Sequence, residues 1–471
     1  MNRQNVDLGS GKVGKLLFSL ALPTITSQIV NMLYNLVDRV YIGHMQPVET
    51  VGKLALTGVG VCLPIIMVIS AFAALMAMGG APRASIEEGR GNIPGAERIM
   101  GNSLTMLIAA AVVLTAVFLV FAEPMLYIFG ASENTIGYAL DYMRIYCLGT
   151  LFVQVTLGMN AFITAQGFTV VGMKTVLIGA GLNTVLDPVF IFAFGMGVQG
   201  AALATILSQA VSAAWVLRFL TGPKTKWRLR KANLWPQAKV VLPSLALGLS
   251  PFIMQSTESL IAICFNSSLL KYGGDTAVGA MTVLTSIMQF AMMPLQGLTQ
   301  GAQPIVSYNY GARNPDRVRA AFRCLLRACL IYSLSLWVLV QLFPQVFVLI
   351  FNNSPALVDY ASWALRIYMA ATGIFGIQIA CQQTFVALGN AKISLFLAVL
   401  RKIILLIPLI YILPNFFADK AFAVFLAEPV ADILAVCTTA TMFSIHFKKR
   451  GMLFFSTHIS TSLGQVNAGS G

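Results

Sequence analysis

Long apolar segments alternate with shorter polar segments along almost the whole chain. Because a helix that crosses a bilayer needs about 20 mainly apolar residues, each apolar segment is read as one span. Three polar connectors are longer than the rest, at residues 82–98, 221–239 and 302–321. The pattern predicts an all-α integral membrane protein of twelve transmembrane helices, near residues 15–42, 54–80, 99–122, 138–166, 174–194, 198–220, 240–270, 276–300, 322–350, 360–388, 392–413 and 422–445.

Composition and charge support a membrane protein and exclude a nucleic-acid partner. Of 471 residues, 57% are hydrophobic and 10% are charged, whereas soluble domains carry roughly 25% charged residues. The net charge of +14 arises from Lys and Arg that concentrate in alternate connectors, which is the positive-inside pattern. We therefore expect a multi-pass protein of the inner (plasma) membrane with both termini cytoplasmic. This orientation assigns Lys392, Arg401 and Lys402 to one cytoplasmic segment.

The two halves of the chain repeat each other. Pro23 and Asp38 are 15 residues apart, as are Pro243 and Glu258. Further matches keep an offset near 220–222 residues, and they pair Gly80-Ala-Pro82 with Ala302-Gln-Pro304, Gly89-Arg-Gly-Asn92 with Gly311-Ala-Arg-Asn314, and Met143-Arg-Ile-Tyr146 with Leu365-Arg-Ile-Tyr368. Six spans in each half predict a parallel repeat about an axis along the membrane normal.

The repeat predicts four regions. They are an N-terminal six-helix lobe at 1–222, a basic cytoplasmic linker at 223–239, a C-terminal six-helix lobe at 240–446 and a disordered tail at 447–471. Repeated halves are typical of carriers in which two bundles move about a central site.

Acidic side chains inside spans are costly and are therefore functional candidates. Five fall well inside predicted spans: Asp38, Asp187, Glu258, Glu428 and Asp432. In the first span, steps of four and three residues place a polar stripe on one helix face, formed by Thr24, Gln28, Asn31, Asn35 and Asp38. Such a stripe lines a path for a cation or substrate, or it forms hydrogen bonds between helices.

The fifth and sixth spans add further oxygen atoms. Asn183 and Asp187 are one turn apart, and Pro188 follows them, while Thr205 lies in the next span. If Asp38 and Asp187 converge, their titrations are coupled and one of them can hold a proton near neutral pH. The same oxygens also suit Na⁺, and the sequence leaves the choice of ion open.

The second half is less polar. Glu258, the counterpart of Asp38, either handles substrate or protons or is a structural acid. Glu428 and Asp432 lie four residues apart around Pro429, where we expect them to pair with Arg or with backbone. Met288 belongs to a group of methionines that can line an adaptable apolar pocket or simply fill space.

These features resemble the multidrug and toxic compound extrusion (MATE) transporters over roughly residues 12–446. The resemblance rests on the repeated halves, the basic central loop, the segment Asn35-Leu-Val-Asp38-Arg-Val-Tyr-Ile-Gly43 and the segment Ala427-Glu-Pro-Val-Ala-Asp432. Within the family, the chain is most similar to the bacterial DinF-like and MepA-like branch. The resemblance implies a V-shaped pair of six-helix lobes that exports lipophilic, often cationic drugs in exchange for H⁺ or Na⁺.

The resemblance also implies a site. In this branch the coupling ion binds in the first lobe, at positions that are here Asp38, Asn183, Asp187 and Thr205, with Asn160 as a further member of the network. We assign the substrate path to Gln28, Asn31, Tyr34, Asn35, Glu258 and Met288. Another branch uses a second-lobe site with a Glu and an Asp. Glu258 matches that Glu, but the tenth span, Tyr360 to Leu388, contains no acid, so we expect the first lobe to carry the ion.

The leading expectation is thus a multidrug efflux antiporter, which would confer antibiotic resistance. We expect no cofactor and no metal other than a possible Na⁺ at Asp38, Asn183 and Asp187. The expected partners are drug-like small molecules and the bilayer, with the protein as a monomer. The alternative is a lipid-linked saccharide flippase of the same superfamily, which needs several basic residues inside the spans. No HExxH or GxSxG motif occurs, so an enzyme is not expected.

Overall fold

The computed structural model describes residues 7–351 and 354–449, without the side chains of residues 48 and 49. These residues form helices and short connections and contain no β-strand. The α-helices, numbered α1 to α15, are Val13–Gly43, Lys53–Gly89, Ile93–Ile128, Ile136–Leu148, Thr150–Ala165, Thr169–Pro188, Gly197–Thr221, Ala238–Gly311, Pro315–Leu342, Pro344–Leu349, Pro355–Tyr368, Thr372–Ala387, Ala391–Val399, Ile407–Ile412 and Lys420–Lys449. Three π-helical segments, Val48–Gly52, Val189–Ala193 and Leu400–Leu406, interrupt or extend them.

The helices have the length and composition of membrane spans. Within the described ranges, nine helices are long and apolar enough to cross a bilayer, and two bent pairs bring the number to eleven. The pairs are α4 with α5, bent by 57°, and α11 with α12, bent by 49°. The sequence analysis read each pair as one straight window, because a bend at Gly149 or near Met369 leaves the apolar pattern intact.

Helix α8 consists of two arms. Its 74 residues would extend ~110 Å at the rise of an α-helix, far more than one bilayer crossing needs. Gly274 interrupts the helix with φ 66° and ψ −164°, a conformation that favours glycine. Residues 238–273 form the first arm and residues 275–311 the second arm. Each arm is long enough to span, and the total of twelve stays a prediction.

Two predicted connectors are largely helical, which corrects the sequence analysis. Helix α2 continues to Gly89 and the second arm of α8 continues to Gly311, although residues 82–98 and 302–321 were expected to be polar loops. Charged residues there lie on helix turns that extend past the apolar span. Only three residues separate each of these helices from the next one. The last of the three, Asn92 or Asn314, is the N-cap of the next helix.

Helix α1 packs into the opposite half of the chain at its beginning. Leu8, Leu17 and Leu20 belong to the same buried cluster as Phe322 of α9 and Phe443 of α15. Burial of these side chains stabilises the contact by roughly 25 cal/mol for each Å² of apolar surface removed from water. The N-terminal end of α1 is therefore anchored to helices of the second half.

The first arm of α8 does the converse. Val240, Leu245 and Phe252 pack against a buried cluster of the first half that includes Phe162, and Trp227 of the linker is fully buried in the same cluster. The predicted lobe boundaries at residues 222 and 240 stay predictions. Two buried clusters contain residues from both sides of these boundaries.

Equivalent contacts recur 222 residues apart. The Ser85 hydroxyl donates to the Ala165 carbonyl at 3.3 Å, and the Ser307 hydroxyl donates to the Ala387 carbonyl at 2.7 Å. Gly167 and Gly389 both have positive φ, 89° and 72°. The offset predicted from sequence is thus repeated in hydrogen bonding and backbone conformation.

The predicted tail begins inside a helix. Helix α15 extends to Lys449, and Phe447 is buried, so residues 447–449 are ordered helix rather than tail. Residues 450–471 lie outside the described residues.

Candidate functional site

The last turn of α6 presents two polar side chains to the interior of the first half. Asn183 and Asp187 are 2% and 0% exposed. Pro188 has no N–H to continue the α-helical ladder, and the chain continues as the π-helical segment Val189–Ala193. Such π segments are frequent at functional sites because they redirect side chains.

Hydrogen bonds join three of the predicted site residues. The Asn183 amide nitrogen donates to Asp187 Oδ1 at 3.0 Å and to Thr205 Oγ1 at 3.4 Å. The Thr205 hydroxyl in turn donates to the Ala201 carbonyl of α7 at 3.0 Å. One amide thereby fixes the rotamer of the buried carboxylate and links α6 to α7.

Several acceptor oxygens around this triad have no partner among the described residues. They are Asp38 Oδ1, Asn183 Oδ1, Asp187 Oδ2 and Gln209 Oε1, and the Ser208 hydroxyl is also unpaired. A buried polar atom without a hydrogen bond costs free energy and calls for an explanation, such as an ion or water that binds there. Because most of these atoms can only accept, the missing partner is a cation or a proton donor.

Asp38 approaches this group from α1. Its carboxylate lies within electrostatic range of Asp187, and Tyr34, one turn earlier, lies within range of both acids and contacts the Gln209 amide. Tyr142 of α4 also lies within electrostatic range of Asp38. The structure thus brings Asp38, predicted from the stripe on the first span, within electrostatic range of Asp187, predicted from α6.

No salt bridge within the described part of the chain involves Asp38 or Asp187. Arg39 is the one basic group that influences Asp38, and it is exposed next to it on α1. Two carboxylates therefore share a buried region that supplies no counter-charge in contact with them.

Asn160 lies apart from this site. Its amide donates to the Gly172 carbonyl at 3.3 Å, about 16 Å along α6 from Asn183 at 1.5 Å per residue. Asn160 Oδ1 is buried without a partner in the described structure. The expected membership of Asn160 in the network stays a prediction.

The polar stripe of α1 divides in two. The Thr24 hydroxyl donates to the Gly297 carbonyl of α8 at 2.7 Å, so this residue links helices. Gln28 and Asn31 are half-buried, while Asn35 is exposed and donates to the Asn31 carbonyl of its own helix at 2.8 Å. Of the two roles considered for the stripe, Thr24 has the hydrogen bond between helices, and the path role of Gln28, Asn31 and Asn35 stays a prediction.

Other predicted path residues lie in the second half. Met288 is half-buried against the apolar cluster of that half. The side chain of Glu258 is 54% exposed and accepts an ion-pair hydrogen bond from Lys402 Nζ at 2.7 Å. Glu258 is therefore a paired acid in this structure.

A buried ionic cluster lies beside Glu258. Arg401 Nε donates to Asp432 Oδ1 at 2.7 Å, and Arg401 Nη2 donates to Glu428 Oε1 at 3.0 Å. The guanidinium also lies over the Phe375 ring, 4.5 Å from its centroid. This contact accords with the expected pairing of Glu428 and Asp432 with an Arg.

The position of Arg401 and Lys402 corrects the sequence analysis, which assigned both to a cytoplasmic segment. They lie in the π-helical segment Leu400–Leu406 and are 6% and 5% exposed. The sequence signal for buried bases was the pair of acids Glu428 and Asp432 inside a span, because buried carboxylates require basic partners.

No group of three or more His, Cys, Asp and Glu side chains within residues 7–351 and 354–449 is arranged to hold a metal ion. The Asp38 region contains only two acids, and its other oxygen atoms belong to amide and hydroxyl groups.

The profile of the MatE family matches residues 23–189 and 251–412, which together are more than half of the chain. The chain is 22% identical over 424 residues to the multidrug export protein MepA of Staphylococcus haemolyticus, which covers 90% of this chain and 92% of the relative. It is 23% identical over 429 residues to the FAD transporter of Shewanella oneidensis, with 90% and 93% covered.

Solved structures share the fold. One is a multidrug resistance MATE family transporter of the MOP superfamily in an outward-facing conformation, with a TM-score of 0.86, 22% identity and coverage of 93% of this chain and 97% of that one. Another is a MOP superfamily transporter from Pyrococcus furiosus, described as having a binding pocket of reverse polarity, with a TM-score of 0.85, 23% identity and coverage of 94% and 99%.

Proposed function

The chain belongs to the MatE (MATE) family of multi-pass membrane transporters, and from this premise we propose that it is a multidrug efflux antiporter. It exports lipophilic cationic compounds in exchange for H⁺ or Na⁺. Members of this family are transporters rather than enzymes. The 22% identity to the multidrug export protein MepA over 90% of the chain supports this choice of function.

The observation that carries the proposal is the pair Asp38 and Asp187. Asp187 is fully buried, and each acid has a buried oxygen without a partner in the described structure. A carboxylate removed from water is unfavourable unless a cation compensates it. A bound Na⁺, or a proton on one of the two acids, supplies that compensation.

Coupling follows if the ion and the substrate compete for these acids. A cationic drug is drawn to the same negative charge that binds the ion. When the ion binds, it removes this attraction, so the drug is released and the ion-loaded protein returns for the next substrate. This requires that the ion bind the two conformations with different affinities.

The interior of the second half favours cationic over anionic substrates. Arg401 and Lys402 are the buried bases there, and both are already paired with carboxylates. An anionic cargo, such as FAD or the pyrophosphate of a lipid-linked saccharide, needs unpaired bases in the cavity. The flippase and an FAD-type carrier are therefore the less favoured alternatives.

Topology and assembly are part of the proposal. The Lys and Arg distribution supports cytoplasmic termini, which places the linker and the N-terminal segment in the cytoplasm. We also propose that the transporter works as a monomer in the inner membrane.

The test uses purified protein in liposomes loaded with either ethidium or FAD. A pH gradient and a Na⁺ gradient are imposed separately at matched membrane potential, and the fluorescence of each compound reports its efflux. We expect one gradient to drive efflux of ethidium and to leave FAD in place. Efflux of FAD but not ethidium would replace this function with an anion carrier, and no efflux of either from folded protein would refute the proposal.

A further inference from the structure

The two halves place an acid at equivalent positions but give it different surroundings. Asp38 and Glu258 are 220 residues apart. Asp38 has no salt bridge in the described chain and one unpartnered oxygen. Glu258 instead accepts a hydrogen bond from Lys402 Nζ at 2.7 Å. Lys402 is 5% exposed, so its ammonium is withdrawn from solvent and directed at this carboxylate.

The neighbouring acids of the second half also have their own cations. Arg401 binds Asp432 and Glu428 through separate nitrogen atoms. Neither Glu428 nor Asp432 has a buried oxygen without a partner in the part of the chain that is described. Each acid of the second-half cluster thus has a basic side chain of the protein as its partner, which Asp38 and Asp187 lack among the described residues.

The Lys402 ammonium is buried and needs a counter-charge, which the partly exposed Glu258 carboxylate provides. An ammonium held on a side chain meets its carboxylate without the loss of translational freedom that a dissolved ion undergoes on binding. Lys402 therefore competes efficiently against Na⁺ and H⁺ for Glu258, provided that its own stem is held in place. Its position in the π-helical segment Leu400–Leu406, beside the anchored Arg401, supplies that constraint.

We propose that Lys402 is a tethered cation that replaces a dissolved ion at Glu258, so that this position of the second half binds no ion from solution. Lys402 then determines how many ions the transporter carries in each cycle. The part of this proposal that concerns ions carried in each cycle rests on the proposed function. The replacement of a dissolved ion by Lys402 at Glu258 does not.

The surroundings of Glu258 define what must be controlled. Lys402 and Arg401 face it from the π-helical segment, Glu428 and Asp432 from α15, and Tyr368 from α11. The cluster thus holds three acids and two bases. Removal of the Lys402 charge leaves Glu258 without its partner while Arg401 keeps both of its own acids.

The test measures ion binding to purified protein in which Asp38→Asn and Asp187→Asn neutralise the first-half site. Binding of radioactive Na⁺ and uptake of protons are recorded near neutral pH. In this parent, Glu258→Gln should leave the amount of bound Na⁺ unchanged. Lys402→Met should add about one bound cation per protein through the Glu258 carboxylate, and the double variant Lys402→Met/Glu258→Gln should lose it again.

Lys402→Arg is the matched control, because it retains a tethered cation and should add no ion. Loss of bound Na⁺ on Glu258→Gln in the parent would overturn the proposal, since Glu258 would then bind an ion despite Lys402. Absence of an added cation in folded Lys402→Met would overturn it too. If Lys402→Met does not fold, the Glu258→Gln comparison still decides.

The outcome is independent of transport. Failure of ethidium efflux in the wild-type protein would remove the multidrug function without altering this binding measurement, which is made after the first-half acids have been neutralised.

Discussion

Gly89 and Gly311 occupy equivalent positions in the two halves, and each packs against the helix that carries the other. A Cβ atom on Gly89 would overlap the Tyr308 carbonyl, and one on Gly311 would overlap the Ile86 carbonyl. The contact is reciprocal, as at a two-fold interface. It brings α2 and the second arm of α8 together at the end of the molecule where Lys226 of the linker pairs with Glu88 at 3.2 Å, here called the linker end.

The glycine crossing predicts a conformational effect. Gly89→Val or Gly311→Val should separate the two helices at the linker end, because backbone atoms cannot yield as a flexible side chain can. Overpacking costs about 1–3 kcal/mol, so the population should shift toward a state that is open at this end. Spin labels at the exposed positions Arg90 and Arg313 would show the longer distance.

Gly137→Ala is the control for this measurement. No atom lies within 4 Å of a Cβ at Gly137, and alanine favours the helix. Unchanged label distances in both Val variants would show that the crossing does not limit the approach of the helices.

Arg317 of α9 fastens the segment before α1 to the second half. Arg317 donates to the carbonyls of Gly11 and Ser10 at 2.9 and 2.8 Å, and Leu8 beside them is 1% exposed. We predict that Arg317→Ala releases this segment, so that limited proteolysis cuts it several times faster than in wild type. Arg323→Ala provides a comparison of equal charge. Equal cleavage rates in the two variants would contradict the prediction.

The Arg401 cluster predicts a strong dependence of stability on charge pairing. Arg401→Met leaves Glu428 and Asp432 buried without their cation, and breaking a buried pair costs about 3–5 kcal/mol. We expect a clearly lower unfolding temperature in detergent. Arg401→Met/Glu428→Gln/Asp432→Asn should recover most of the loss, since no buried charge remains unpaired. A triple variant as unstable as the single one would show that the lost packing on Phe375, rather than charge, is responsible.

Asn183 predicts a positioning effect on ion affinity. Its amide holds both Asp187 and Thr205, and loss of an outer partner typically lowers ion affinity by about 10–100-fold. Asn183→Ala should therefore weaken binding of the coupling ion by that order while the protein stays folded. Thr184→Ala, which removes only a hydroxyl bonded to its own helix at Ala180, should have little effect. Similar affinities in both variants would exclude this role for Asn183.

Much of the first-half site was accessible from the sequence. Asp38, Asn183 and Asp187 stand out because polar residues at helical spacing inside an apolar span have few explanations. Which polar residue faces which helix was not accessible, because that depends on packing. Thr24 belongs to the same stripe as Asp38, yet it bonds to Gly297 of α8.

The second half was harder to predict for a physical reason. A pair such as Arg401-Lys402 near the end of an apolar window is usually a cytoplasmic anchor. The π-helical segment Leu400–Leu406 instead keeps both inside, where three acids compensate them. Glu428 and Asp432 were expected to pair with Arg or with backbone, but the sequence did not show which Arg, because Arg401 lies 27 and 31 residues away.

The most direct test asks whether ion and substrate compete at Asp38 and Asp187. Purified protein in weak buffer receives ethidium, and the release of H⁺ or Na⁺ is measured for wild type, Asp38→Asn, Asp187→Asn and Asp275→Asn, the last being a change at an exposed acid. We predict that wild type and Asp275→Asn release the ion when ethidium binds, and that neither Asp38→Asn nor Asp187→Asn does. Undiminished release from both first-half variants would contradict the assignment of the coupling site to these acids.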